Sequence, residues 1–144
     1  MNLETRRPGS DLGNKELTER IIAAAICVHK ELGPGFLEAM YEEALAIELT
    51  SNALSFERQK LLPVFYHEHL ISEHRLDFVV EGQVIVELKA ISALEDIHFA
   101  IVRSYLKAVN LNDALLLNFA SVRLIMKRVG REYHPTSKAK GIVL

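Results

Sequence analysis

Two acidic residues and a lysine in the middle of the chain form a candidate catalytic set. We predict that Asp77 lies opposite Glu87 in a β-hairpin, with Lys89 on the same side of the sheet. Carboxylate oxygens are the ligands that a hard cation such as Mg²⁺ prefers, and a nearby amine can orient a water molecule or stabilise developing negative charge. Two carboxylates directly opposite each other repel and should destabilise the hairpin. A sequence that breaks this local rule is typical of a functional site.

The hairpin that positions these residues is predicted from residue types over residues 75–89. β-Branched and aromatic residues stand on both sides of Glu81-Gly82, as in two short strands joined by a tight turn. Placing the apolar faces together pairs Phe78 with Val86 and leaves a three-residue loop. The same alternation places Leu76 on the face of Phe78. A two-residue loop would instead bring a charge into the apolar layer.

The whole chain has the composition of a single globular domain. Its 144 residues are 49% hydrophobic and 25% charged, which is enough for a core. One cysteine, Cys27, excludes an internal disulfide and suits a reducing cytoplasm. Because no apolar run reaches membrane-spanning length and the first residues lack the hydrophobic segment of a secretion signal, we expect a cytoplasmic protein without a membrane partner.

The formal net charge of −2 argues against tight non-specific binding of nucleic acid over the whole surface. The charge is uneven, however, since basic residues outnumber acidic ones six to one from Ser121 onward. One interpretation is a solvated edge strand followed by a loose tail. The other is a surface that contacts phosphate groups. Its candidate residues are Arg123, Lys127 and Arg128.

Helical and strand periodicities define the remaining elements. We predict helices over 15–32, 36–51 and about 92–110, and strands over 56–66, 113–119 and 122–129. A capping box at Ser92–Glu95 opens the last helix. The strand, helix and strand that run from the hairpin to residue 119 imply a parallel pair. We divide the chain into a flexible leader, residues 1–13, one domain, residues 14–130, and a basic, loose tail, residues 131–144.

Three further features of the sequence bear on the fold and the site. Pro63 cannot donate to a sheet, so the first strand should lie at an edge or contain a bulge. His67-Glu68-His69 has the spacing of two metal ligands on one strand face, although a polar turn explains it better, because no third partner is near. Glu38 and Glu42 neighbour each other on one side of the second helix, where acids usually face water.

The predicted order, with an Asp on the second strand and Glu-x-Lys on the third, resembles the PD-(D/E)XK nuclease superfamily. Within it the sequence is similar to the GxxExxY family of small bacterial and archaeal proteins. The resemblance covers residues 17–126. The matching motifs are Gly35-Phe-Leu-Glu38-Ala-Met-Tyr41, Arg75-Leu-Asp77, Val86-Glu87-Leu88-Lys89, Ile97-His98 and Tyr105-Leu106-Lys107.

The resemblance implies an α/β fold with a restriction-endonuclease-like core (αβββαβ), a mixed central sheet flanked by helices, and an extra N-terminal helix. It also implies a nuclease that uses Mg²⁺ or Mn²⁺ to hydrolyse phosphodiester bonds, with DNA favoured over RNA. The metal ligands would be Asp77, Glu87, Glu38 and the backbone carbonyl of Leu88, and Lys89 would complete the catalytic set. Tyr41 and Tyr105 are candidates for supporting roles around the site, with core packing as the alternative for each.

One position departs from the family pattern. Related nucleases often carry Gln four residues before the helix tyrosine, and here that position is Ile101. Three interpretations therefore stay open: a metal-dependent nuclease, a nucleic-acid- or protein-binding module that has lost turnover, and a structural ion pair among Asp77, Glu87 and Lys89. The small net charge also suggests that a homodimer or a protein partner completes the binding groove.

Overall fold

The computed structural model describes residues 11–132, with side chains from residue 14 onward. The helices in this range are α1 (Asp11–Leu32), α2 (Glu38–Ser51) and α3 (Asp96–Val109). The strands are β1 (Phe56–Tyr66), β2 (His69–Val80), β3 (Val84–Lys89), β4 (Asp113–Asn118) and β5 (Ile125–Gly130).

The strands form one mixed sheet in the order β1-β2-β3-β4-β5. Strands β3 and β4, which α3 connects, are parallel, and every other neighbouring pair is antiparallel. This arrangement confirms the predicted α/β class, with a mixed sheet and an additional N-terminal helix. β1 lies at an edge and has a register shift between Val64 and Phe65, next to Pro63, where a bulge or an edge was predicted.

Two apolar clusters, one on each face of the sheet, hold the layers together. α1 and α2 cover the face that carries Phe78, Val86 and Leu115. α3 covers the opposite face, which carries Ile85 and Leu116. Because β3 and β4 are covered on both faces, almost every residue in them is buried, and their sequences are correspondingly apolar.

The central hairpin has the predicted register. Phe78 pairs with Val86 and Val80 with Val84, so residues 81–83 form the predicted three-residue loop. Glu81 and Gly82 both have positive φ, 54° and 67°, which the loop needs for its tight reversal. The prediction that Leu76 shares the face of Phe78 is wrong, because Leu76 packs in the cluster beneath α3. Regular alternation is interrupted at the next residue, where the side chain of Asp77 bonds to the neighbouring strand.

Several element boundaries differ from the predictions. The described part of α1 starts at Asp11 rather than residue 15, so the helix extends into the segment predicted as a leader. α3 begins at Asp96, because His98 Nδ1 accepts a hydrogen bond from the Glu95 N–H at 2.8 Å, so the predicted cap at Ser92 is wrong. The rest of the predicted leader and most of the basic tail lie outside the described residues. None of the described helices is long and apolar enough to cross a membrane.

The turn between β1 and β2 accounts for the histidine pair. His67 and Glu68 have positive φ values of 48° and 69°, and His69 pairs with Tyr66 across the turn. Such a pair of left-handed residues is typical of a two-residue hairpin loop. The backbone therefore forms a turn at His67 and Glu68, as the polar-turn interpretation predicted.

Candidate active site

The two candidate carboxylates lie where β2 and β3 separate. The bridging pairs between these strands end at Phe78 and Val86. Beyond that pair, the backbone N–H of Asp77 donates to Glu87 Oε2 at 2.9 Å, and the backbone N–H of Leu88 donates to Asp77 Oδ2 at 2.9 Å. Each carboxylate thus takes the place of a backbone carbonyl in the gap between the strands. The two acids are brought together by backbone donors, which offset the repulsion expected from their register.

Glu87 is almost completely buried, with 7% of its surface exposed. Burial raises its pKa to about 8, and the negative charge of Asp77 adds to this shift, while the Asp77 N–H and Lys89 oppose it. Burial likewise raises the pKa of Asp77, and the charge of Glu42 adds to it. Burial therefore disfavours the ionised forms of both acids, and a bound cation would relieve this penalty.

Glu38 and Lys89 share this electrostatic environment. Glu38 is the first residue of α2 and is exposed, yet nearby protein atoms displace enough water to raise its pKa. The negative charge of Asp77 raises the pKa of Glu38 further, whereas the positive charge of Lys89 lowers it. Lys89 has the same lowering effect on Asp77 and Glu87. The charge of one amine therefore acts on all three predicted acids.

Sequence reasoning missed two residues of this site, Glu42 and Gln59. Glu42, expected to face water, is buried one turn after Glu38. Gln59 Nε2 donates to both Glu42 oxygens at 3.0 and 3.1 Å and lies 3.4 Å from Asp77 Oδ1, so it joins the helix acid to the strand acid. Arg58 adds an ion pair to Glu42 at 3.1 Å. The four-residue spacing of Glu42 from Glu38 could have indicated that Glu42 belongs to the site. Nothing in the local sequence distinguishes Gln59.

The two tyrosines have different positions. Tyr41 is buried and stacks on Phe119 at 4.6 Å between ring centroids. Its hydroxyl donates to Gly33 O at 2.5 Å and accepts from the Phe36 N–H at 3.2 Å, so it fastens the loop that leads into Glu38.

Tyr105 lies on the α3 side of the site. Burial raises its pKa, and the charges of Glu87 and Asp77 add to the shift. Ile101, one turn earlier on α3, is 40% exposed, so the apolar side chain that replaces the expected Gln is open to solvent.

The three basic residues proposed for phosphate contact do not lie on one face. Arg128 Nη2 donates to Thr18 Oγ1 at 3.3 Å, on the α1 side of the sheet. Lys127 pairs with Leu116, which faces α3, so its side chain projects to the opposite side. Arg123 is exposed in the segment before β5. A shared contact surface for Lys127 and Arg128 would have to wrap around the sheet edge.

The carboxylate oxygens of this cluster suit a hard divalent cation, although they do not already surround a metal position. Within residues 14–132, no three His, Cys, Asp or Glu side chains are arranged as a metal-binding group. Asp77 and Glu87 each use one oxygen for a backbone N–H, and Glu87 keeps its second oxygen, whereas that of Asp77 lies 3.4 Å from Gln59 Nε2. Magnesium is commonly held by one or two carboxylates, with water and substrate phosphate completing the shell. Asp77 and Glu87 therefore fit Mg²⁺ or Mn²⁺, and Glu38 is the neighbouring acid that could join them.

Comparisons with known proteins agree with this geometry. A family model of the PD-(D/E)XK nuclease superfamily matches residues 15–129. Among solved structures, the crystal structure of SSO0001 is similar, with a TM-score of 0.53 and 12% sequence identity over 91% of this chain. This chain spans 66% of the length of that protein, and the likeness concerns the fold alone. No curated protein matches the sequence. The five-stranded mixed sheet with its flanking helices is consistent with a restriction-endonuclease-like core.

Proposed function

The chain belongs to the PD-(D/E)XK nuclease superfamily, and we propose that it is a metal-dependent nuclease that hydrolyses phosphodiester bonds in nucleic acid, with DNA favoured over RNA. The observation that carries this proposal is the reciprocal bonding of Asp77 and Glu87 at the point where β2 and β3 part. That bonding holds two acids together beside Lys89, as metal-assisted hydrolysis requires. Nucleases of this superfamily generally depend on divalent metals.

We assign the site residues as follows. Asp77, Glu87, the Leu88 carbonyl and Glu38 would hold Mg²⁺ or Mn²⁺. When bound, such an ion polarises the phosphate and lowers the pKa of a water molecule. Lys89, whose charge acts on all three acids, would orient the attacking water or stabilise charge that develops on the phosphate.

Tyr41 supports the site from a distance, because it fixes the loop before Glu38. The motif formed by Gly35, Glu38 and Tyr41 is the basis for a finer assignment to the GxxExxY family, which we propose together with the activity.

A second candidate function is a nucleic-acid- or protein-binding module that has kept the fold and lost turnover. The exposed Ile101, where related nucleases often have Gln, favours it. The third interpretation, a structural ion pair, has less support. No ion pair of the described residues joins Lys89 to Asp77, Glu87 or Glu38; those formed on the sheet and α2 involve Arg58 and Lys60.

DNA cleavage in Mn²⁺ or Mg²⁺ tests the proposal most directly. We expect purified protein to cut plasmid or single-stranded DNA, and Lys89→Ala and Glu87→Gln to abolish the activity. Lys60→Ala is the matched control, because Lys60 is a partly exposed lysine of the sheet whose ion-pair partner, Glu57, is outside the assigned site. Stabilisation by metal without cleavage would favour the binding module. Cleavage by Lys89→Ala at the wild-type rate would exclude the proposed role of Lys89.

The partner and the location of the protein are part of the same proposal. A net charge of −2 gives little attraction for DNA, so a homodimer or a protein partner would complete the groove. A monomer on gel filtration that nevertheless cuts DNA efficiently would contradict this. The single cysteine, Cys27, is exposed and suits a reducing cytoplasm, where we place the protein.

A further inference from the structure

A cavity of about 430 Å³ lies at the opposite end of the sheet from the acid cluster. Its lining includes Asn14, Lys15 and Thr18 from α1 and Asp113 and Arg128 from the sheet. Asp113 pairs with Val84 at the start of β3, whereas Lys89 at the end of β3 pairs with Asn118. Glu87 pairs with Leu116, three residues beyond Asp113, so at a rise of about 3.3 Å per residue roughly 10 Å along the sheet separates the two levels.

Asn14 gives this cavity a specific chemical requirement. Only 2% of its surface is exposed, and its Nδ2 donates to Asp113 Oδ2 at 2.6 Å. That bond fixes the orientation of the amide, because turning it over would place Oδ1 against the Asp113 carboxylate. Oδ1 is left buried, and no donor reaches it among the residues that the structure describes. A buried carbonyl oxygen without a donor is rare and suggests that a missing group supplies one.

The cavity lining also offers two cationic side chains, Lys15 and Arg128. Two acids stand near them, since Asp113 lines the cavity and Glu19 acts on both cations, so an anion would compete with these acids. Arg128 uses Nη2 for its bond to Thr18, which leaves further N–H donors on a group that has five. Lys15 pairs with Glu19 at 2.9 Å in an exposed ion pair, which is weak and easily exchanged.

We propose that this cavity binds a small organic phosphate that carries a hydroxyl group beside its phosphate, with the size of a sugar phosphate or a mononucleotide. The phosphate would lie between Arg128 and Lys15, since a guanidinium group matches phosphate oxygens. The hydroxyl would donate to Asn14 Oδ1. The volume falls within the usual range of small-molecule sites. This inference does not depend on nuclease activity, because the two sites share no residue.

Isothermal titration of the full chain without divalent metal tests the inference. Leaving out divalent metal keeps the acid cluster from binding phosphate through a cation. The probes are ribose 5-phosphate, inorganic phosphate and ribose. We expect ribose 5-phosphate to bind about tenfold more tightly than inorganic phosphate, and ribose not to bind, because only the first ligand satisfies both the cations and Asn14.

Two variants locate the binding. Arg128→Gln should weaken ribose 5-phosphate by about tenfold or more, whereas Lys127→Gln, which removes the adjacent charge on the other face of β5, should not. Asn14→Ala should abolish the preference for ribose 5-phosphate over inorganic phosphate. The inference is overturned if ribose 5-phosphate does not bind, if inorganic phosphate binds equally well, or if Lys127→Gln weakens binding as much as Arg128→Gln. Because Arg128 is exposed on an edge strand, its variant tests the site even if Asn14→Ala does not fold.

Discussion

The backbone N–H of Asp77 donates to the Glu87 carboxylate at 2.9 Å, so the acid of one strand is held by the backbone of the other. The Asp77 carboxylate is held in the same way by the Leu88 N–H. Both acids are thus held in a defined position by backbone donors before any cation arrives. Glu87 keeps its second oxygen, whereas the second oxygen of Asp77 lies 3.4 Å from Gln59 Nε2.

Divalent metal should stabilise the folded protein. For a site with a millimolar dissociation constant, 10 mM Mg²⁺ adds about 1.4 kcal/mol to the free energy of unfolding. In a domain of this size, that is an increase in Tm of roughly 3–6 °C. Mn²⁺ and Ca²⁺ should act in the same direction, and differential scanning fluorimetry measures the shift.

Glu87→Gln should abolish this response to metal, because it removes one of the two central carboxylates. Glu73→Gln is the matched control, since Glu73 is an exposed acid on the same strand as Asp77 and should leave the shift unchanged. An equal shift in both variants would place the metal elsewhere. No shift in the wild type would count against a metal site at Asp77 and Glu87.

Without metal, stability should fall as the pH rises from about 4.5 to about 8. Unfolded Glu87 releases its proton near its ordinary pKa of 4.5, whereas the folded protein holds that proton until its pKa of about 8. The folded state therefore binds more protons across this window, with a slope of at most about 1.4 kcal/mol per pH unit from this group. Urea unfolding at several pH values measures the slope.

Glu87→Gln should flatten this pH dependence, because the amide does not titrate. Saturating Mg²⁺ should flatten it too, since a bound cation favours the ionised carboxylate. The raised pKa values of Asp77 and Glu38 act in the same direction and leave a residual slope. An identical slope in wild type and Glu87→Gln would show that Glu87 ionises normally in the folded protein.

Gln59 combines a strained backbone with a bridging side chain, and two substitutions separate these effects. Both Gln59→Ala and Gln59→Gly remove the bonds to Glu42 and Asp77 and should destabilise the protein. Because Gln59 has φ of 52°, glycine should be less harmful than alanine by about 1 kcal/mol. Glu57, an exposed residue of the same strand without positive φ, should show the reverse order. Urea unfolding of the four variants measures these differences in stability. Equal stabilities of Gln59→Ala and Gln59→Gly would contradict the backbone strain.

Tyr41→Phe should destabilise the protein by about 1–2 kcal/mol, because Gly33 O loses its donor and the Phe36 N–H loses its acceptor. The stacking on Phe119 should persist, so the loss belongs to the hydroxyl alone. Tyr66→Phe, at an exposed end of β1, should be neutral. We also expect a smaller response to metal in Tyr41→Phe, since the loop before Glu38 is loosened. Equal unfolding curves for the two variants would rule out the role of the Tyr41 hydroxyl.

The hairpin register, the opposition of Asp77 and Glu87, and the parallel pair around α3 could all be predicted from the sequence. These follow from strand alternation, turn residues and element order, which are local properties of the chain. The same alternation should have separated Lys127 from Arg128, whose side chains project from opposite faces of β5. Leu76 shows the limit of such reasoning, because alternation fails where a carboxylate bonds to the neighbouring strand.

The side chains that complete the site could be identified only in the folded protein. Gln59 joins Glu42 to Asp77 through contacts between a strand and a helix, and no local pattern marks it. Asn14 meets Asp113 across 99 residues of sequence, which creates both the buried amide and the cavity beside it. Burial and hydrogen-bond partners depend on which distant segments fold against each other, so the pKa of Glu87 and the unsatisfied oxygen of Asn14 exist only in the folded chain.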